Sequence, residues 1–288
     1  MLADMTGNEY DVAFQGARGA YSEAAARRLL RHDVRVLPSD GLEDVFTAVT
    51  RGRARFGVVP LENTIAGTVP GVYDLLLGHE LRVIAETRLK IDHALIGTGA
   101  MEFGDVRRVL SHPVALGQCR GFLRRHSQIV PVAAFDTAGA VEIIMRENDG
   151  ATAAIAGSHA AEAYGAKVLA EHLQDHDENF TRFVLLARAE DVPSGPNVTR
   201  VLAAFDLLHR PGALVAALQP IAERGVNLTK IESRPIPTRP FEYRFIVELE
   251  DDSDGAALAA AVAEMRQTTT SLRLLGEYSA LSSREEAP

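Results

Sequence analysis

The stretch VRVLPSDGLEDVFTAVTRGRARFGVVPLEN, residues 34–63, decides the fold class of the first part of the chain. In its middle, apolar side chains recur at helical spacing, at Leu42, Val45, Phe46 and Val49. Asp40 followed by Glu43 is a helix-start signal. The apolar runs on either side, residues 34–37 and 56–60, have the length of buried strands. The stretch therefore predicts a strand–helix–strand unit of an α/β fold.

The same alternation continues to about residue 165. Further apolar runs predict strands at residues 11–14, 81–85, 93–97, 107–110, 129–133 and 153–157. A second amphipathic helix follows Asp136, which is a favourable N-cap residue. We therefore expect an α/β domain over residues 11–190, preceded by a frayed leader at residues 1–10.

The C-terminal third has a different order of elements. Residues 191–198 contain a Pro/Gly/Asn cluster typical of an interdomain linker. Beyond it the pattern predicts strands at 201–207, 228–234, 243–250 and 272–278 and helices at 212–224 and 256–266. This βαββαβ order is that of a ferredoxin-like domain. We expect that domain at residues 199–279, followed by a tail at residues 280–288.

Composition narrows the class of protein. A chain of 288 residues exceeds the usual size of one hydrophobic core, which favours two domains. Cys119 is the only cysteine, so a disulfide within the chain is impossible and a reducing, cytoplasmic location is expected. The net charge of -9 argues against a nucleic-acid partner. No apolar run approaches membrane-spanning length, and no membrane partner is expected.

Three polar clusters follow predicted strands, where open α/β sheets bind ligands. The loop of residues 16–22 contains glycines that suit an anion site or a plain strand–helix turn. The segment of residues 60–67 either binds a ligand or caps the next helix. Ser111-His112-Pro113 is either functional or a helix cap, with Pro113 in the first turn. In that helix Cys119 lies two turns in, which favours a core position over a nucleophile.

Two further segments carry polar side chains. His172 and His176 have the i, i+4 spacing of metal ligands, but no third-ligand motif accompanies them, and an acidic turn explains the cluster. No metal is therefore expected. In the predicted strand from Asn179, Thr181 and Phe183 share one face and Arg182 takes the other.

Taken in order, these segments resemble the prephenate dehydratase family over residues 11–278. The resemblance rests on the loop of residues 16–22, Pro60-Leu61-Glu62-Asn63-Thr64, Ser111-His112-Pro113, Gln118-Cys119, Asp136-Thr137-Ala138, Gln174-Asp175 and Asn179-Phe180-Thr181-Arg182-Phe183. It implies two α/β lobes of the periplasmic-binding-protein type (type II), with the active site between them. By position, residues 11–89 and 167–188 would form one lobe and residues 91–166 the other.

The resemblance also implies the site residues. The expected catalytic residues are Asn63, Ser111, Gln118 and Thr181, with Glu62 and Arg182 beside them. The expected substrate-binding residues are Gly19, Ala20, Tyr21, Ser22, Thr64, His112 and Phe183. The sequence departs from the family at Val114, Gly117 and Ala20, where the family often has Gln, Ala and Thr. At residue 20 this removes a hydroxyl near the expected substrate.

The C-terminal domain resembles the ACT domain of the same family. Its two effector-binding signatures match Gly212-Ala213-Leu214-Val215 and Glu232-Ser233-Arg234-Pro235, with Asn227-Leu228 between them. The resemblance implies that Gly212, Ala213, Leu214, Asn227, Leu228, Glu232, Ser233 and Arg234 bind an aromatic amino acid, phenylalanine, at the interface of a homodimer or tetramer.

The implied reaction is the decarboxylating dehydration of prephenate to phenylpyruvate, in phenylalanine biosynthesis, without a metal, nucleotide or other cofactor. In it Thr181 would assist the leaving hydroxyl, and Ser111, Asn63 and Gln118 would be neutral donors. Arg182 would pair with a substrate carboxylate or form a structural ion pair. Two alternatives stay open: an arogenate dehydratase, which shares these motifs, and a non-catalytic sensor of aromatic amino acids.

Overall fold

The computed structural model describes residues 8–30, 33–192, 198–251, 253 and 255–279. The strands are β1 (Tyr10–Gln15), β2 (Val36–Ser39), β3 (Ala54–Asn63), β4 (Gly67–Thr68), β5 (Leu81–Lys90), β6 (Ala94–Gly97), β7 (Arg108–Ser111), β8 (Val130–Ala133), β9 (Thr152–Ala156), β10 (Lys167–Ala170), β11 (Phe180–Arg188), β12 (Arg200–Asp206), β13 (Asn227–Ile236), β14 (Arg239–Glu250) and β15 (Ser271–Tyr278). The helices are α1 (Tyr21–Leu30), α2 (Leu42–Thr50), α3 (Val72–Gly78), α4 (Pro113–Gln118), α5 (Arg120–Arg125), α6 (Thr137–Glu147), α7 (Ser158–Tyr164), α8 (Ala213–Glu223) and α9 (Ala256–Thr268). Most of the predicted leader and linker, residues 1–7 and 193–197, and the tail from residue 280 lie outside the described residues.

The described residues form two compact units. The first extends to Leu75 and includes Thr87–Leu185, and the second consists of Leu76–Glu86 and the chain from Leu186 onward. Within the first unit one sheet has the order β2, β1, β3, β11, with β1 parallel to both β2 and β3. A second sheet has the order β10, β6, β9, β7, β8. We call the parts built on these sheets the first and second lobes.

Helix α2 shows why the deciding stretch folds as it does. Val45, Phe46 and Val49 are buried, so the predicted apolar face packs into the core. The predicted start signal is wrong by one residue: Gly41 is the N-cap, and the Asp44 carboxylate accepts a hydrogen bond from the Gly41 N–H at 3.0 Å. Asp136 caps α6 as predicted, with its carboxylate accepting from the Gly139 N–H.

Two predictions about the first unit need correction. Strand β10 pairs antiparallel with β6, so the second lobe extends to Ala170 and residues 167–170 do not belong to the first lobe. Helix α4 ends at Gln118, and Cys119 forms the junction with α5 rather than lying two turns into one continuous helix. The Cys119 side chain is nevertheless fully buried in the core of the second lobe, as expected.

The second unit has the predicted βαββαβ order, with antiparallel neighbours in the order β13, β14, β12, β15. Helices α8 and α9 cover a core that includes Phe205, Ala217 and Leu258. Residues 76–86 were predicted in the first lobe, but they pack in this unit. The Tyr278 hydroxyl donates to the Glu86 carboxylate at 3.0 Å, and the Arg273 guanidinium donates to the Leu77 carbonyl at 2.6 Å.

Within the part of the chain that the structure describes, no helix has both the length and the apolar character needed to cross a membrane.

Candidate active site

A cavity of about 620 Å³ lies in the first unit and is lined by residues from both lobes. Gln15, Asn63, His112 and Asp136 reach it from the carboxyl ends of β1, β3, β7 and β8 or just beyond them. This is the edge where open α/β sheets bind ligands, because the loops that leave parallel strands meet there. The volume lies within the range usual for small-molecule sites.

The predicted site residues divide into two groups. Those that line the cavity are Ala20, Tyr21, Ser22, Asn63, His112, Gln118, Thr181 and Phe183. Those outside the cavity lining are Gly19, Glu62, Thr64, Ser111 and Arg182. The residues of the second group have hydrogen-bond or ion-pair partners within the protein; the Gly19 N–H, for example, donates to the Glu23 carboxylate at 2.8 Å.

Asn63 and Thr181 are hydrogen-bonded neighbours in the cavity wall of the first lobe. The Asn63 side-chain oxygen accepts hydrogen bonds from the Ile65 and Ala66 N–H groups at 3.0 and 2.8 Å. Its side-chain nitrogen donates to the Thr181 hydroxyl oxygen at 2.9 Å, and also to Asn179 Oδ1 at 2.7 Å. The Asn63 amide is therefore held between two elements, with the nitrogen facing Thr181.

Arg182, next to Thr181 on β11, forms an ion pair with Glu62. Its guanidinium lies 3.1 Å from the Glu62 carboxylate, and the arginine side chain is only 10% exposed. Of the two possibilities that the sequence left open for Arg182, the structure shows the ion pair within the protein. No Lys or Arg side chain is among the described residues that line the cavity, so an anionic ligand there would meet neutral donors and the Asp136 carboxylate, which accepts hydrogen bonds from backbone N–H groups.

Ser111 and Thr64 have hydroxyl groups that serve the fold. Ser111 is fully buried and donates to the Ile155 carbonyl at 2.6 Å, because β7 is buried on both faces at this point. Thr64 accepts from the Phe180 N–H at 2.9 Å and donates to the Glu178 carbonyl at 3.3 Å. Both residues hold neighbouring segments in place beside the cavity.

The loop of residues 16–22 belongs to the first lobe and contacts the second. Gly19 has φ +77°, and a side-chain carbon there would lie 2.8 Å from Ala160 Cα in α7 of the second lobe. The Ala17 N–H donates to the Asp136 carboxylate at 3.2 Å, so the carboxylate that caps α6 also bonds the first lobe. The Tyr21 hydroxyl donates to the Asp92 carbonyl at 2.5 Å. Burial raises the pKa of the Tyr21 hydroxyl.

The second lobe contributes Gln118, His93 and His112. His93 is 2% exposed, and its Nε2 lies 2.9 Å from Gln118 Oε1. Burial lowers the pKa of His93, while the hydrogen bond with Gln118 opposes that shift. His112 Nδ1 accepts from the Val114 N–H at 3.2 Å, so the side chain caps α4 and also faces the cavity.

Sequence reasoning missed His93 and Phe135 and treated Asp136 only as a helix cap. The signal for Asp136 was its place directly after a predicted strand. His93 carried a weaker signal, a polar side chain at the start of the apolar run of residues 93–97. Phe135 is 71% exposed although it lines the cavity, and nothing in the sequence distinguished it.

The predicted effector residues lie on two elements of the second unit. Gly212, with φ +79°, is the N-cap of α8, and Ala213 and Leu214 form its first turn. Asn227, Leu228, Glu232, Ser233 and Arg234 all lie on β13. Within β13, the Arg234 guanidinium lies 3.5 Å from the Glu232 carboxylate. Helix α8 contacts β13, and the two signatures lie on these two elements.

Each domain of the chain matches a known family model. The family model described as prephenate dehydratase matches residues 12–191, and the model described as ACT domain matches residues 199–267. The chloroplastic arogenate dehydratase/prephenate dehydratase 2 of Arabidopsis thaliana is 38% identical over 281 residues, 94% of this chain and 73% of the relative.

Several solved structures are similar over nearly the whole chain. The prephenate dehydratase of Arthrobacter aurescens in complex with L-Phe has a TM-score of 0.82 and 30% identity, covering 93% of this chain and 90% of that one. A structure described as GqqA, a novel type of quorum quenching acylase, has a TM-score of 0.86 and 32% identity, covering 95% and 99%. Since the family model spans more than half of the sequence and the identities extend over both domains, the chain belongs to the prephenate dehydratase family, with a C-terminal ACT domain.

Proposed function

We propose that the chain acts on prephenate itself and releases phenylpyruvate, carbon dioxide and water. The observation that carries this proposal is the orientation of Thr181. Its hydroxyl oxygen accepts a hydrogen bond from Asn63, which leaves the hydroxyl hydrogen free to donate into the cavity. A donor at this point suits a substrate whose poor leaving group, a ring hydroxyl, must be hydrogen-bonded as it departs.

The reaction has a simple balance. The bond from ring carbon 1 to its carboxylate breaks, the electron pair moves through the ring, and the bond from carbon 4 to the hydroxyl oxygen breaks. One proton is consumed as the hydroxyl leaves as water. Aromatisation of the ring provides the driving force. In this scheme the Thr181 hydroxyl donates a hydrogen bond to the departing oxygen, and because a threonine hydroxyl is a weak acid the proton arrives by relay.

The lack of Lys and Arg side chains among the described residues of the cavity lining suits loss of the ring carboxylate as carbon dioxide. A salt bridge would stabilise that carboxylate in the ground state and would slow loss of carbon dioxide, because only interactions that strengthen in the transition state accelerate a reaction. Among the described residues Arg182 is turned to Glu62, and Gln118 and Thr181 offer neutral donors to the cavity. In this role Asn63 orients Thr181, and Ser111 supports the wall without touching substrate.

Regulation is part of the proposal. We propose that phenylalanine binds between α8 and β13 of ACT domains that pair in a homodimer or tetramer. The similarity to the Arthrobacter aurescens protein, which was crystallised with L-Phe, supports phenylalanine as the ligand. Coupling between such sites typically changes affinity by about 5- to 150-fold.

The test is an assay of the full chain with prephenate and, separately, arogenate, followed by detection of phenylpyruvate and phenylalanine. We expect turnover of prephenate that falls by about 10² to 10⁴-fold in Thr181→Val and survives in Thr181→Ser, which keeps the hydroxyl. Preference for arogenate would replace the proposed substrate with its amino-acid analogue. Hydrolysis of an acylated substrate instead would favour the acylase activity named for the similar structure.

A further inference from the structure

His93 is a buried polar side chain at the start of the second lobe, in front of β6. Its backbone is held at both ends, since its N–H donates to Gln174 Oε1 at 2.9 Å and its carbonyl accepts from the Leu173 N–H at 2.9 Å. The imidazole faces the cavity and bonds Gln118. A histidine fixed in this way has one ring orientation, and what it can donate or accept then depends on whether Nδ1 or Nε2 carries the proton.

The partners of the ring assign the tautomer. Nε2 lies 2.9 Å from the side-chain amide of Gln118, which can accept or donate according to its orientation, so the state of Nδ1 decides which nitrogen carries the hydrogen. Nδ1 is buried and has no hydrogen-bond partner among the described residues. A proton on Nδ1 would be a buried donor without an acceptor, and such a group is costly. Because burial lowers the pKa of His93, the ring is neutral at neutral pH, with its single proton on Nε2.

This tautomer fixes the orientation of the Gln118 amide. The backbone of Gln118 is anchored, because its carbonyl accepts from the Asp175 N–H at 2.7 Å. Its side-chain oxygen is taken by His93, while its side-chain nitrogen has no partner in the described part of the chain. Since Gln118 lines the cavity, its N–H groups are available to a ligand there. A flipped amide would present an oxygen instead and would repel an anion.

We propose that His93 is a positioning residue which, through the hydrogen on Nε2, holds Gln118 with its amide N–H groups toward an oxygen atom of the substrate. The inference rests on the proposed function for the identity of that substrate, whose carboxylate and keto oxygens are all acceptors. It adds to the proposed site residues one that acts through another side chain.

Three variants of the full chain test the arrangement by steady-state kinetics with prephenate. His93→Phe keeps a ring but removes the donor, so Gln118 can flip and KM rises several-fold while kcat changes less. His93→Gln places an N–H near the position of Nε2 and restores KM to within about threefold of the wild type, since one neutral hydrogen bond is kept. His176→Gln, on an exposed turn, is the matched control and leaves KM unchanged.

Gln118→Glu separates the two possible amide orientations. In the proposed arrangement the new carboxylate still accepts from His93 but turns an acceptor toward the substrate, so KM rises about tenfold or more. If Gln118 presented its oxygen to the cavity, the same variant would keep substrate binding. An unchanged KM in both Gln118→Glu and His93→Phe would overturn the proposal.

A measurement without substrate keeps the inference separate from the proposed function. In protein labelled with ¹⁵N-histidine, two-bond ¹H–¹⁵N correlation spectra report the tautomer of each ring, and the His93 signals are those missing from whichever His93 variant folds. We expect the Nε2–H pattern for His93 at neutral pH. An Nδ1–H pattern would overturn the inference even if the enzyme turns over prephenate, and failure to turn over prephenate would leave the tautomer result standing.

Discussion

The Asn63 side-chain nitrogen lies 2.9 Å from the Thr181 hydroxyl oxygen, and this contact joins residues 118 positions apart in the sequence. The Asn63 oxygen accepts from two backbone N–H groups of its own loop, so the amide cannot turn over without losing both bonds. Thr181 therefore accepts on one side and keeps its hydrogen for a ligand. In the second lobe, His93 orients Gln118 in a similar way and determines which side-chain atom of Gln118 faces the cavity.

Asn63→Asp is expected to abolish most activity while the loop stays in place. One carboxylate oxygen would still accept from Ile65 and Ala66, but the other would face three acceptors, among them Asn179 Oδ1 and the Thr181 hydroxyl oxygen. Thr181 would then donate its hydrogen to residue 63 rather than to substrate. We expect kcat to fall by about 10²-fold or more.

The same chemical change at the exposed C-cap of α6, Asn148→Asp, is the control and should leave kcat near the wild-type value. Circular dichroism would establish that both variants are folded. Wild-type kcat in folded Asn63→Asp would mean that the Thr181 hydroxyl does not act on the leaving group.

The sequence predicted the order of elements well because both domains have strong apolar periodicity. Helix α2 and the βαββαβ order from β12 to β15 follow from the apolar periodicity of short segments, which can be read directly from the sequence. The lobe boundary at residue 167 was misplaced because strand pairing is not local. Nothing in Lys167–Ala170 itself tells whether it pairs with β6 or returns to the first lobe.

The site was predicted less completely. The sequence indicated where polar residues lie relative to the strands, but not which way their side chains point. Ser111 follows a strand as expected, but β7 is buried on both faces, so its side chain points to Ile155 and not to the cavity. His93 was overlooked since its partner Gln118 is 25 residues away and the pair forms only in the folded chain. The alternation of side chains along a strand correctly predicted that Arg182 lies on the face opposite Thr181, where it forms an ion pair with Glu62.

Gly19→Ala should destabilise the first unit more than a positive φ alone explains. Gly19 and Gly71 have φ values of +77° and +82°, so a side chain at either position carries the same left-handed penalty, about 1–2 kcal/mol. Only at Gly19 does the added carbon meet a neighbour, Ala160 Cα at 2.8 Å. We expect Gly19→Ala to lower the free energy of unfolding by about 1–3 kcal/mol more than Gly71→Ala does.

Urea unfolding of both variants and the wild type, followed by circular dichroism, gives the change in the free energy of unfolding for each substitution. The KM for prephenate provides a second reading, because the contact between Gly19 and α7 joins the lobes that line the cavity. Equal destabilisation by the two substitutions would show that the loop and α7 separate easily enough to accept the extra carbon.

Cys119 should be unreactive in the native protein. Burial, together with the nearby negative charge of Asp175, raises the pKa of its thiol to about 12. A raised pKa leaves the thiol protonated below that value, and only the thiolate attacks an alkylating reagent. At pH 8 we expect iodoacetamide to modify Cys119 slowly in the folded chain and quickly in urea. Rapid modification without urea would mean that the junction of α4 and α5 opens, since the side chain is fully buried in the structure.

Glu232→Gln should weaken the response to phenylalanine without changing basal turnover. Glu232 is partly buried on β13, beside Arg234, in the unit that does not contain the cavity. The substitution removes a negative charge that would meet the ammonium group of an amino-acid ligand, and charge-assisted hydrogen bonds are about twice as strong as neutral ones. Glu264→Gln also removes an ion-paired carboxylate, but its partner Arg224 is the C-cap of α8, at the opposite end of the helix from Gly212, so this variant should keep the wild-type response. Activity measured across a phenylalanine titration separates the cases: a right-shifted curve for Glu232→Gln alone supports the effector site. A loss of basal turnover in Glu232→Gln would instead show that this residue supports the fold of the ACT domain.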